Sequence, residues 1–311
     1  MKQRSLICMT TCNRANAVRA LVWDYLRFCD SDARFDFLLS LDGKDPQTLR
    51  YCRKHRIPIL YSEQREGVGL SKNRVLQAYP DYSGYFFVED DVELLDPCLF
   101  PIHVEVAQTS GIPHFSLFPE DRLIDEEEST IIDNRTIRHG WYGGGTMSFF
   151  TRAGIDAVGG FDLGFAELRR FGHTEHSHRF VHAGLCHYPF NVIEQCMTGY
   201  VRFSEPGSVT KVQVDTTENR LHPGEADLIA QKRPWHPIST LSAYSKPETL
   251  DLESVRADPL QAMHRLRYTA WIGGLNLMRT LKQRLSSSGQ PLSHGAAESV
   301  ADVRPPPKER G

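Results

Sequence analysis

The sequence predicts an α/β domain with a mostly parallel central sheet, and three observations predict it. Short apolar runs alternate with helically spaced apolar stripes through the first half of the chain, which is the pattern of strand–helix–strand repetition. Polar turns rich in Thr, Asn, Asp and Gly close the first two runs. With 40% hydrophobic and 24% charged residues among 311, there is enough apolar material for a substantial core, and global disorder is excluded.

Taken in order, Leu6 to Met9 is a buried-strand run, closed by Thr10-Thr11-Cys12-Asn13-Arg14. Ala15 to Cys29 reads as a helix, because Val18, Leu21, Val22, Tyr25 and Leu26 recur at helical spacing. Phe35 to Leu41 is the second strand and ends at Asp42-Gly43; Pro46 to His55 is a helix with Pro in its first turn. Ile57 to Tyr61 is a strand, Leu70 to Ala78 a helix and Tyr85 to Val88 a fourth strand. Pro119 to His139 holds seven acids and reads as a long exposed loop or hairpin. Met147 to Thr151 is a strand and Arg152 to Val158 a short helix; Thr174 to Ala183 is a helix stopped by Gly184.

Beyond Met197 the pattern is irregular, so the main domain is expected over residues 1–245 and a helical segment over 246–285. Residues 286–311 are rich in Ser, Gly and Pro and are expected to be disordered. Residues 260–285 carry two apolar rows, five basic residues and no acid. Such a helix either packs on the domain or lies peripherally on an anionic membrane face.

The composition also limits function. The net charge of −3 argues against nucleic acid as the main partner, which needs a basic face. Seven scattered cysteines without a C-x-x-C pair read as free thiols of a cytoplasmic protein, not a disulfide framework. The opening residues lack a secretory h-region, and no apolar run approaches the roughly 20 residues of a spanning helix.

Parallel sheets collect ligands at the carboxyl ends of their strands, so the residues after each run are the first candidates for chemistry. The strongest is Glu89-Asp90-Asp91, three acids directly after an aromatic strand. Clustered carboxylates are costly to bury without a cation, and Mg²⁺ or Mn²⁺ typically takes one or two carboxylates plus phosphate oxygens. A solvated surface turn is the plainer alternative.

The order Thr10–Arg14, then Asp42, then Gly69-Leu70-Ser71-Lys72-Asn73-Arg74, then Glu89-Asp90-Asp91 resembles the nucleotide-sugar-dependent glycosyltransferases of the GT-A fold, family 2 type. Gly159-Gly160-Phe161-Asp162 and Gly172-His173-Thr174-Glu175-His176 resemble the acceptor-side motifs of that group, and the likeness covers roughly residues 5 to 200. It implies a single GT-A (Rossmann-like) domain, a nucleotide-sugar donor (UDP-linked on the family pattern) and a glycan or lipid-linked acceptor. It also implies a Mn²⁺ or Mg²⁺ cofactor and inversion at the sugar carbon.

Position by position, the resemblance places Thr10, Thr11, Asn13 and Arg14 beside base and ribose, and Asp42 on the uracil ring. Lys72 and Asn73 lie beside the nucleotide, with one of Lys72 and Arg74 facing its phosphates. Asp91 is the metal ligand; Glu89, longer than the usual Asp, is assigned to the metal or ribose, and Asp90 to the same cluster. Glu175 is the general base, with His176 as the alternative where a second acid is usual. Gly144, within Trp141-Tyr142-Gly143-Gly144-Gly145, belongs to a binding loop where backbone can approach a ligand. His222 and His236 lie far enough downstream to add a distal metal ligand. The histidines at 173, 176, 178, 182 and 187 lack zinc-site spacing. A sugar-phosphate nucleotidyltransferase would need a Gly-rich first turn, which Thr10–Arg14 is not; a non-catalytic carbohydrate-binding relative is the third class.

Overall fold

A computed structural model of the chain describes residues 4–118, 124–168, 171–197, 199–203, 229, 231 and 233–241. The helical segment and tail expected over 246–311, and His222, lie outside the described residues.

The first half alternates as the sequence predicts: β1 (Ser5–Thr11), α1 (Ala15–Ser31), β2 (Phe35–Asp42), α2 (Pro46–His55), β3 (Ile59–Ser62), α3 (Val68–Ala78) and β4 (Gly84–Glu89). Next come β5 (Val92–Leu94), α4 (Leu99–Ser110), β6 (His114–Leu117), β7 (Ile124–Ile132), β8 (Arg135–Tyr142) and β9 (Met147–Thr151). The described elements end with α5 (Arg152–Val158), α6 (Leu163–Leu168), α7 (Gly172–His182), β10 (Phe190–Ile193), α8 (Glu194–Met197) and β11 (Val201–Phe203).

The central sheet has the order β3-β2-β1-β4-β9-β6. β1 to β4 are mutually parallel, and β9 runs antiparallel between β4 and β6. Strands buried on both faces need continuous apolar runs, and all seven residues of β1 and all eight of β2 are buried. Leu6 and Cys8 of β1 share one layer with Tyr85 and Phe87 of β4, Val75 and Leu76 of α3, and Phe180 of α7. In the other layer Phe86 meets Phe100 of α4, Phe35 and Phe149. Asp45 caps α2 by accepting from the amides of Gln47 and Thr48, with Pro46 at the first helical position.

The acid-rich segment is a hairpin. β7 and β8 pair antiparallel around Asp133-Asn134, both with positive φ (49° and 60°), the combination that lets a two-residue turn follow the strand twist. β8 also pairs with β10, which makes a second, three-stranded sheet. From Tyr142 the chain reaches β9 within a few residues and returns to the edge of β4, where Glu89 N–H donates to Thr146 O at 3.0 Å. The hairpin sheet and the acids after β4 are thereby joined by one short strap.

Candidate functional site

The carboxyl ends of β1, β2 and β4 lie side by side, with Thr10 opposite Glu89 across the β1–β4 ladder and Thr11 opposite Leu41 across β1–β2. This brings the first turn, Asp42 and the three acids together. Asp90 receives Thr11 Oγ1 and Arg14 Nη1, each at 2.5 Å. Arg14 also lies 3.7 Å from Asp91 Oδ2. Burial raises the Asp90 carboxyl to about 6 against the pull of Arg14. Burial, with Asp91 next in weight, raises Glu89 to about 7, opposed by Lys72.

Lys72 is buried, its Nζ 5.1 Å from the ring centroid of Phe161 and 5.6 Å from that of Phe87. Burial lowers its pKa and Glu89 holds it up. The site thus holds three carboxylates against two cations. Asp91 Oδ1 is buried with no hydrogen-bond partner, although its other oxygen faces Arg14. An orphaned anionic oxygen beside a second carboxylate fits a hard divalent cation, which completes its shell with water and substrate oxygens. No group of three or more His, Cys, Asp or Glu that could hold a metal occurs among the described residues; such a cation needs only one or two.

Several sequence-derived assignments change. Thr10 is buried with its hydroxyl 3.5 Å from Val88 O, facing the neighbouring strand. Asn13 is exposed with φ 55°, and its neighbour Arg14 is half-buried. Asn73 is fully buried: its Oδ1 accepts from Phe161 N at 2.7 Å, and its Nδ2 donates to Phe161 O and Ser239 O, each at 2.8 Å. Both of its N–H groups are spent on backbone, so it positions the Gly159–Phe161 turn and the 233–241 segment instead of contacting a nucleotide. Lys72 and Arg74 both point inward, to different acids. Arg74, 0% exposed, reaches Asp42 Oδ1 at 2.5 Å. Asp42 also accepts from Glu66 N at 3.0 Å and Gly67 N at 2.7 Å. Three of its contacts are therefore internal, and the Asp42-Gly43 turn is built into the fold.

The Gly143–Gly145 loop answers a packing demand. A Cβ on Gly144 would come within 2.6 Å of Phe118 Cβ, and on Gly145 within 2.6 Å of His173. The side chain of Phe118 alone is enough to require glycine at 144.

The acceptor-side motif is closed on itself. His176 is 0% exposed, stacked on Phe161 at 4.1 Å, with Nε2 at 3.1 Å from Gly159 O. It is fully enclosed in the core, and burial holds its pKa well below the usual imidazole range. Glu175 is buried, with Oε1 2.9 Å from Arg179 Nε and Oε2 accepting from Nη2 at 2.9 Å. Arg179 also donates to Val158 O and Gly160 O. Burial raises the Glu175 carboxyl, and Arg179 opposes that rise. Beside this pair Asp162 meets Arg233 at 3.1 Å and His236 at 3.4 Å. Sequence reading missed this Asp162–Arg233 contact, because a separation of 71 residues leaves no local signal.

No protein-family model matches the chain, and no curated protein matches it. The chain is similar to solved structures over part of its length. The crystal structure of S. aureus TarS 1-349 in complex with UDP-GlcNAc is 13% identical with a TM-score of 0.49, over 74% of this chain and 66% of that one. TarS 1-349 in complex with UDP is 13% identical with a TM-score of 0.47, over 64% of this chain and 60% of that one. The mannosyltransferase PcManGT from Pyrobaculum calidifontis, in complex with GDP-Man and Mn²⁺, is 13% identical with a TM-score of 0.43, over 67% and 56%. The chain spans less than two thirds of the length of each. At such identity the likeness concerns fold, and at such TM-scores it says nothing of chemistry. No described helix is long and apolar enough to cross a membrane.

Proposed function

We propose that this chain is a metal-dependent glycosyltransferase that moves a sugar from a nucleotide-diphosphate sugar, UDP-linked on the motif pattern, to a hydroxyl of a glycan or lipid-linked acceptor. The observation that carries the reading is the unbalanced acid cluster at the carboxyl end of β4, with the partnerless Asp91 Oδ1 at its centre. Asp91 and Glu89 would hold Mn²⁺ or Mg²⁺. Bound there, the cation would offset the negative charge that gathers on the departing nucleoside diphosphate.

The chain's own groups supply the rest. Arg14 and Lys72 add fixed positive charge around the acids, and charge-assisted contacts to phosphate oxygens are the strong kind. Thr11 and Arg14 hold Asp90, which keeps the acid turn in one geometry. Asn13 stands exposed at the end of β1, where base or ribose would lie. Glu175 is the proposed base for the acceptor hydroxyl, and to act it must release one of its two contacts with Arg179. Inversion follows if the base stands on the face opposite the diphosphate.

A second reading, a non-catalytic sugar-nucleotide-binding relative, is favoured by one observation: both base candidates are engaged within the protein. Calorimetric titration with UDP- and GDP-sugars, with and without Mn²⁺, followed by assay for released nucleoside diphosphate, tests both. Binding that requires Mn²⁺, with slow hydrolysis, supports the transferase. Binding without any turnover supports the second reading, and no binding of either donor overturns both.

A further inference from the structure

We propose that Arg65 reads the donor's nucleobase and selects a base with a ring carbonyl oxygen at its edge, uracil or guanine, over one with an amino group there, cytosine or adenine. The inference rests on the glycosyl-transfer reading and names a specificity-determining residue for its donor.

Arg65 stands on the connection from β3 to α3, and that connection is pinned over the end of β2. Gly43 N–H donates to Ser62 O at 3.1 Å. Two residues on, Gln64 N–H donates to Ser62 Oγ at 3.2 Å. The amides of Glu66 and Gly67 then close on Asp42. Residue 65 is therefore fixed from both sides. Its backbone lies directly over Gly43, where an added Cβ would come within 3.1 Å of Arg65 Cβ. Gly43 also has φ 93°, so this close approach needs glycine twice over. The Arg65 side chain is exposed, and no ion pair ties it down among the described residues.

The strand order sets the distance between this guanidinium and the acids. In the order β3-β2-β1-β4, the ends of β2 and β4 are two strand spacings apart, about 10 Å, the scale of a nucleoside. On the far side of β4, the strap through Thr146 runs against Glu89. A diphosphate held at the acids therefore extends its base toward β2 and β3. Cys12, half-buried in the first turn, lies between the two ends. Burial raises its thiol pKa, Arg65 opposes the rise, and Asp42 and Asp90 add to it. One residue of the crevice thus senses both the acid cluster and Arg65.

The chemistry at the β2 end is that of a donor. Asp42 is 5% exposed, with Oδ1 taken by Arg74 and Glu66 N and Oδ2 by Gly67 N. Arg65 carries only N–H groups, in a planar fork. Such a fork suits O4 of uracil, or O6 and N7 of guanine. Cytosine and adenine present an amino group at the corresponding place, which sets donor against donor.

The test is calorimetry of the full chain in Mn²⁺ with UDP, GDP, CDP, ADP and inorganic pyrophosphate. Wild type should bind UDP more tightly than CDP, or GDP more tightly than ADP. Arg65→Ala should weaken binding of the preferred nucleotide about tenfold and erase that preference, with pyrophosphate affinity unchanged. Wild type without a preference for the carbonyl base overturns the proposal, as does an Arg65→Ala variant that keeps it. An equal loss across all four nucleotides and pyrophosphate also overturns it, by making Arg65 a phosphate contact. Wild-type binding of none of the nucleotides sinks the transferase reading itself, whereas normal binding with an indifferent Arg65→Ala variant sinks only this assignment.

Discussion

The acids after β4 and the acid on α7 receive opposite treatment from their surroundings. At β4 three carboxylates share two cations, and one buried oxygen has no partner. On α7 a single carboxylate meets a single guanidinium through two contacts of 2.9 Å, and that guanidinium is further tied to two backbone carbonyls. The first arrangement is short of positive charge. The second is matched, as structural ion pairs are when breaking them leaves an uncompensated buried charge. The sequence shows three acids in one motif and one in the other, but not which of these charges the fold answers. On the proposed reading, what separates a binding site from a brace is whether the neighbours leave the charge unanswered.

The sharpest way to test that contrast is Asp91→Asn. If the orphaned oxygen binds a cation, transfer should fall by about a thousandfold or more, while the melting temperature stays the same or rises. EDTA should reproduce the loss and Mn²⁺ reverse it in wild type only; full activity in EDTA would remove the metal from the mechanism. Asp42→Ala comes next. It leaves the buried Arg74 with only the more distant Glu66, 3.7 Å from its Nε, so an unfolding free energy lower by about 3 kcal/mol is expected, measured by urea denaturation. An unchanged midpoint with weakened UDP affinity would restore Asp42 to a purely ligand-reading role.

Glu175→Gln decides between brace and base. A base predicts kcat down by about a hundredfold with donor affinity intact; a brace alone predicts loss of stability with near-normal turnover per folded molecule.

The smallest effect is invisible at neutral pH. Burial depresses His103 and His114 from 6.5 to about 4. The unfolded chain therefore binds more protons than the native state between those values, and stability is lost as pH falls through that window. His103→Phe, among Phe86, Phe115 and Phe149, should flatten the decline by one proton's share. Identical pH slopes for variant and wild type would refute that origin.

The parallel strands and their helices were legible because each is written locally, in apolar runs and stripes such as Val18, Val22 and Leu26 on α1. The acid motif was legible for the same reason. The fates of individual side chains were not. Asn73 and His176 sit in motifs whose spacing suggests ligand contact, yet their partners, Ser239 and Phe161, are set by tertiary packing. The hairpin was one of the two readings of the acid-rich run, and Asp133-Asn134, two residues that tolerate positive φ, is the local signal that favours it over a loop. Gly143-Gly144-Gly145 shows the general difficulty: a glycine demanded by a neighbouring ring and one demanded by a ligand are written with the same letter.

The contact between Asn73 and Ser239 also has a timetable. The two residues are 166 positions apart, and a ribosome adds about 5–20 residues per second. For roughly ten to thirty seconds of synthesis, α3 exists while the segment that satisfies its buried amide does not. During that interval Gln77, whose amide later meets Ile238 O at 2.7 Å, also waits. The nascent sheet must therefore keep this face hydrated or shielded until 233–241 arrives to seal it. A ribosome stalled before residue 233 would hold a nascent chain with its acid cluster already encoded but this seam still open to protease.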